Sequence, residues 1–79
     1  MNIKELKEAL DNMGVNPDRY DLDGGTPRRS EGLVLVREGP QWAVRHFERG
    51  SWYTLRSFSA EGPACRALLE YATDPFYPT

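Results

Sequence analysis

Ile3, Leu6, Leu10 and Met13 recur at intervals of three and four residues, a spacing that stripes one face of a helix. Asn2 precedes the stripe and Glu5 stands three residues later, the spacing of a capping box. Gly14 follows the stripe where a left-handed C-terminal cap belongs. A helix over residues 3–13 is predicted. Lys4 and Glu8, like Lys7 and Asp11, sit off the stripe four residues apart. The Lys comes first in each pair, the weaker orientation, so these pairs add little.

From Val15 to Ser30 the pattern changes to turn chemistry. Pro17 fixes its own φ and pushes Asn16 out of the helical region. Tyr20 and Leu22 alternate with Asp21 and Asp23, which predicts a short edge strand with Tyr20 and Leu22 inward. Gly24-Gly25-Thr26-Pro27 breaks any regular element, and Arg28-Arg29-Ser30 completes a polar loop.

Three strand signals follow. Glu31–Glu38 holds the apolar run Leu33-Val34-Leu35-Val36, and Gly39-Pro40 marks a turn. Gln41–Glu48 alternates, with Trp42, Val44 and His46 on one face and Ala43, Arg45 and Phe47 on the other. Arg49-Gly50 is the next turn, where Gly50 is free to take a positive φ. Ser51–Phe58 is dense in aromatics and Thr. Such short turns predict an antiparallel meander.

The last element is a helix. Ser59 is the expected N-cap, and Pro63 falls in the first turn, where a missing N–H costs little. Cys65, Leu68, Leu69 and Ala72 form its apolar stripe, and Asp74-Pro75 ends it. Phe76 and Tyr77 lie in an aromatic tail able to fold back on the domain. The fold class is therefore α+β: a three- to four-stranded antiparallel β-meander with N- and C-terminal helices packed on one face. The opposite sheet face is expected to stand open.

Length and composition narrow the function classes. Seventy-nine residues suit one small domain, taken as 1–79, and a chain of this size gains only a few kcal/mol from its core. That argues against a self-contained enzyme with a deep, preorganised cleft. The formal net charge is −2, which does not suit a strongly basic nucleic-acid binder. One Cys permits no internal disulfide, and no apolar stretch is long enough to span a membrane. A soluble, cytoplasmic protein without cofactor or membrane association is expected.

Candidate chemistry is sparse. One His and one Cys cannot close a zinc site, and Cys65 on an apolar stripe reads as a small core residue. His46 reads as a half-buried sheet residue, since no nucleophile motif accompanies it. Asp18, Asp21 and Asp23 lack the spacing and distal Glu of a calcium loop. They read as solvated carboxylates or as an acidic patch that steers a basic partner.

The meander also carries Arg37, Arg45, Arg49 and Arg56, all candidates for the helix-free side. Trp42, Phe47, Trp52, Tyr53 and Phe58 cannot all enter a two-helix core, because strand neighbours alternate faces; Trp52 and Tyr53 must point opposite ways. Aromatics with Arg on a flat sheet suit a protein interface or a nucleic-acid platform. The element order is also that of the double-stranded RNA-binding domain. However, Ser59–Arg66, which would begin the phosphate-gripping helix, holds one basic residue and one acidic one. Nucleic-acid binding is therefore the alternative, and catalysis ranks third.

One resemblance spans most of the chain. Its parts are the opening Ile3–Leu10 helix, Gly14-Val15-Asn16-Pro17-Asp18-Arg19-Tyr20-Asp21-Leu22, and Trp42-x-Val44-x-x-Phe47-Glu48-Arg49-Gly50. It continues through Leu55-Arg56-x-Phe58-x-x-Glu61-x-x-Ala64-Cys65-x-x-Leu68-Leu69. This pattern resembles the small immunity proteins of bacterial polymorphic and contact-dependent toxin systems. The resemblance implies a cytoplasmic, non-enzymatic protein, a monomer or weak dimer when free. It would bind one cognate toxin domain, often a nuclease, and occlude its active site or substrate path. The candidate contacts are Asp18, Asp21 and Asp23 against a basic toxin surface, with Arg45, Trp52, Tyr53 and Arg56 on the sheet.

Overall fold

The structure is a computed structural model that describes residues 1–22 and 31–74. Helix α1 spans Ile3–Asn12. The Glu5 N–H donates to Asn2 Oδ1 at 2.8 Å and the Asn2 N–H donates to Glu5 Oε1 at 3.1 Å, completing the capping box. At the far end the Val15 N–H donates to the Leu10 carbonyl and the Gly14 N–H to the Asp11 carbonyl. With Gly14 at φ +75° this is a Schellman motif, which satisfies two carbonyls the helix leaves orphaned.

A single 3-10 turn, Pro17–Arg19, leads into strand β1, Tyr20–Asp21. Strands β2 (Glu31–Glu38), β3 (Gln41–Glu48) and β4 (Ser51–Phe58) follow, and helix α2 spans Glu61–Thr73. Among the described residues the sheet order is β1-β2-β3-β4. Strands β2, β3 and β4 form the expected antiparallel meander, but β1 runs parallel to β2, so the sheet is mixed. Nine residues separate β1 from β2, too many for the two-residue hairpin turn that would impose antiparallel polarity.

Both hairpins close on two residues. Gly39 has φ +58° ahead of Pro40, and Arg49 and Gly50 have φ +49° and +84°. Positive φ at both Arg49 and Gly50 is the type I′ pattern and positive φ at Gly39 alone the type II′ pattern, and the twist of both matches that of paired strands. Such tight turns set register: Glu38 faces Gln41, and Glu48 faces Ser51.

The core lies between the helices and one sheet face. Leu6 and Leu10 of α1 meet Ala64, Cys65 and Leu68 of α2 over Leu33, Leu35 and Val44. The helix starts are tied together, since the Ile3 N–H donates to Glu61 Oε2 at 3.0 Å. A Cβ on Gly62 would stand 3.4 Å from the Met1 carbonyl oxygen, within ordinary van der Waals contact. The N-cap of α2 is Ala60, without a side-chain hydrogen bond, and not Ser59. Ser59 lies one residue too early to cap a helix that begins at Glu61.

Strand β4 departs from simple alternation. Thr54 faces Arg45 and Arg56 faces Val44, which leaves Leu55 as an extra residue in a bulge. The bulge reverses face parity. Trp52 shares the outer face with Phe47, whereas Tyr53, Arg56 and Phe58 share the helix face with His46, Val44 and Trp42.

Candidate surface on the outer sheet face

The helix-free face is organised in rows set by register. Asp21, Val34, Arg45 and Thr54 form one row; Val36, Ala43 and Ser57 form the next. Phe47 faces Trp52 in a third, their ring centroids 4.7 Å apart and planes tilted by 54°. That tilted geometry is favourable for aromatic pairs. Trp52 keeps 42% of its surface exposed, so the pair presents a ring to solvent.

Arg45 forms an ion pair with Glu38, which lies two rows away on the same face. The pair spans the intervening Val36–Ala43 row. Ala43 in that row is 2% exposed although, among the described residues, no helix lies on this side. Val34 on this face is buried too, at 1% exposed, and the Arg45 stem adds cover along the row it crosses while its head finds a partner. Arg45 Nε is buried in that arrangement without a hydrogen-bond partner.

The sequence-derived candidates divide between surfaces. Asp21, Arg45 and Trp52 share the outer face. Asp21 and Arg45 are separated by two strand spacings, about 10 Å. Tyr53 and Arg56 lie on the helix face, where Tyr53 is 52% exposed and the Arg56 guanidinium sits 4.8 Å from the Phe58 ring centre. Asp18 belongs to the turn before β1, its N–H donating to Asn16 Oδ1. Asp23 lies outside the described residues, as do the Gly24–Ser30 loop and the Phe76-Tyr77 tail.

The arginines do not gather on the helix-free side. Of those in β2, β3 and β4, Arg45 faces that side; Arg37 sits 5.6 Å from the Trp42 ring on the other, and Arg56 follows it because of the bulge. Arg49 occupies the turn. The sequence set Phe47 on the Arg45 face but counted neither it nor Glu38 among the candidate contacts. Phe47 was within reach, because a two-residue turn at Arg49-Gly50 places residue 47 opposite residue 52.

His46 is 8% exposed, its Nε2 3.8 Å from Glu48 Oε2 and its ring 6.4 Å from that of Tyr53. Cys65 is fully buried, and burial first, then the Glu61 carboxylate, pushes its thiol pKa up. This is the reverse of an activated nucleophile. The Tyr20 hydroxyl is also pushed up, by burial and then by Asp11, to which it donates a 3.4 Å hydrogen bond. Among the described residues no three His, Cys, Asp or Glu side chains gather as a metal site. Nor is any helix among them long and apolar enough to cross a membrane.

Comparison with protein-family models, curated proteins and solved structures found no match.

Proposed function

We propose that this chain is an immunity protein that binds a cognate bacterial toxin domain in the cytoplasm and blocks its active site or substrate path. The observation that carries the reading is the outer sheet face. It presents the Phe47–Trp52 pair next to the row of Arg45, whose ion pair with Glu38 crosses the sheet, with Asp21 two strands from Arg45 in the same row. Exposed aromatics beside Arg are the residue types that dominate protein–protein hot spots. An inhibitor of this kind needs a rigid surface rather than a cleft, and a four-stranded sheet backed by two helices supplies one.

The resemblance in the sequence supplies the toxin class, with a nuclease as the leading expectation. The nucleic-acid reading gains less support. Arg45 is paired with Glu38, and Arg37 and Arg56 lie over rings on the other face. A basic platform for phosphates needs unpaired cations on one side.

The test is co-expression with the C-terminal toxin domain encoded in the adjacent upstream reading frame. Rescue of growth and a one-to-one complex are expected. Trp52→Ala should weaken that complex by about tenfold or more while leaving the circular dichroism spectrum unchanged. Absence of both rescue and complex would overturn the reading. A gel shift with RNA or DNA at low salt separates the alternative, and no shift is expected.

A further inference from the structure

We infer that β4 is a self-association edge, through which two copies of this chain pair antiparallel about a two-fold axis between Thr54 and Leu55. This does not rest on the function proposed above. β4 is the last strand of the sheet, and among the described residues no strand pairs with its outer edge. Ser51 to Thr54, Arg56 and Ser57 are all exposed, so the edge is uncovered. The strand contains no Lys, Pro or Gly and one charge, Arg56. Edges built to resist pairing usually carry charges, Pro or bulges, and besides Arg56 the one such device on β4 is its bulge.

The occupant follows from the strand's own pattern. Residues that face each other across an antiparallel pair must share a sheet face. In an unbroken strand this forbids pairing a residue with one an odd number of positions away. The Leu55 bulge lifts that restriction, because Ser51 and Tyr53 before it share the helix face with Arg56 and Phe58 after it. Pairing Ser51 with Phe58, Trp52 with Ser57 and Tyr53 with Arg56 of the second copy therefore keeps the faces of these pairs matched; the central Thr54–Leu55 pair, with Leu55 turned to the core, is the exception and lies at the axis. It is also the register that uses all eight residues of the strand.

The chemistry of that register is complementary. Ser51 and Ser57 receive the two large rings, Phe58 and Trp52. Arg56 meets the Tyr53 ring of the other copy, twice by symmetry, a cation–π contact. No like charges are opposed. Both copies bend at the same central position, so the bulge that would spoil a flat partner falls on the axis. A net charge of −2 per copy adds little long-range repulsion.

Sedimentation equilibrium of the full chain, from low micromolar to millimolar concentration, tests this. The apparent mass should rise from 9.0 kDa toward twice that value and level off. Tyr53→Lys opposes like charges twice and should weaken the dimer by about tenfold. Tyr53→Glu, which alters the same site but opposes unlike charges, should keep or tighten it. Combining Tyr53→Lys with Arg56→Glu should restore it. A monomer at every concentration overturns the inference, as does equal behaviour of the two Tyr53 variants or growth beyond the dimer.

Discussion

Arg45 and Glu38 pair diagonally across the outer sheet face, with the Val36–Ala43 row between them. The contact is partly exposed, with side-chain exposures of 31% and 46%, so its Coulombic part is worth less than about 1 kcal/mol. Its larger effect is cover. The Arg45 stem adds cover along the Val36–Ala43 row, and the unpaired Nε offsets part of that gain.

Two substitutions at Arg45 should therefore differ. Arg45→Ala removes the cover and should destabilise by about 1 kcal/mol. Arg45→Met keeps a long apolar stem and removes the unpaired Nε, so it should stay within about 0.5 kcal/mol of the parent. Urea unfolding of both variants checks this. Equal losses would mean that charge, not cover, is what Arg45 supplies.

The Ile3–Glu61 hydrogen bond joins residues 58 positions apart and closes the two helix starts on each other. Glu61 is also the acidic residue in the first turn of α2, where it favours the helix dipole. Glu61→Ala removes both and should cost about 1–2 kcal/mol, a fall of several degrees in Tm for a domain of this size. Glu61→Gln keeps an acceptor and should cost less. Thermal melts followed by circular dichroism would show the order.

Left-handed backbone separates conformational cost from crowding. A Cβ on Gly14 meets nothing within 4 Å, so Gly14→Ala should lose about 1–2 kcal/mol from the φ of +75° alone. Gly14→Asn should lose less. At the β3–β4 turn Arg49 already bears such a φ, +49°, and Arg49→Asn should gain a few tenths of a kcal/mol. Chemical denaturation midpoints of the three variants check the ranking.

Alkaline pH should weaken the fold through Tyr20 and Cys65. Both have pKa values raised in the folded state, Tyr20 by burial and then Asp11, Cys65 by burial and then Glu61. The folded state therefore holds these protons more tightly than the unfolded chain does. Their contribution is fully present below the unfolded pKa values and is lost as pH rises through the folded ones. Tm should fall as pH rises above about 9. Tyr20→Phe and Cys65→Ala should each make that fall shallower, whatever they do to stability at neutral pH. An unchanged slope in both would contradict it.

Much of this was legible in short sequence patterns because it is local. Asn2 and Glu5 make their capping box within one helical turn, and Gly14 closes the same helix. Gly39-Pro40 and Arg49-Gly50 are tight enough that two-residue turns determine strand register. Trp52 and Tyr53 had to part because neighbours in a regular stretch of strand do. Ser59 misled because capping chemistry is common beside a helix start, and only the backbone decides which residue is the cap. The parallel pairing of β1 was hidden because two residues carry no polarity signal of their own.

The sequence by itself determined the element order, the two ends of α1, the meander, and the helix stripes that bury Leu6, Leu10 and Leu68. These follow from periodicity and turn chemistry, which act over a few residues. The tertiary structure decided what the surfaces contain. One extra residue at Leu55 turned Arg56 and Phe58 to the helix side, and strict alternation from Trp52 would have placed both outside. An ion pair between neighbouring strands lies across the Val36–Ala43 row, and a hydrogen bond between residues 58 positions apart tied the helix starts together. Such features depend on how strands and helices meet in space. No short window of sequence contains both partners.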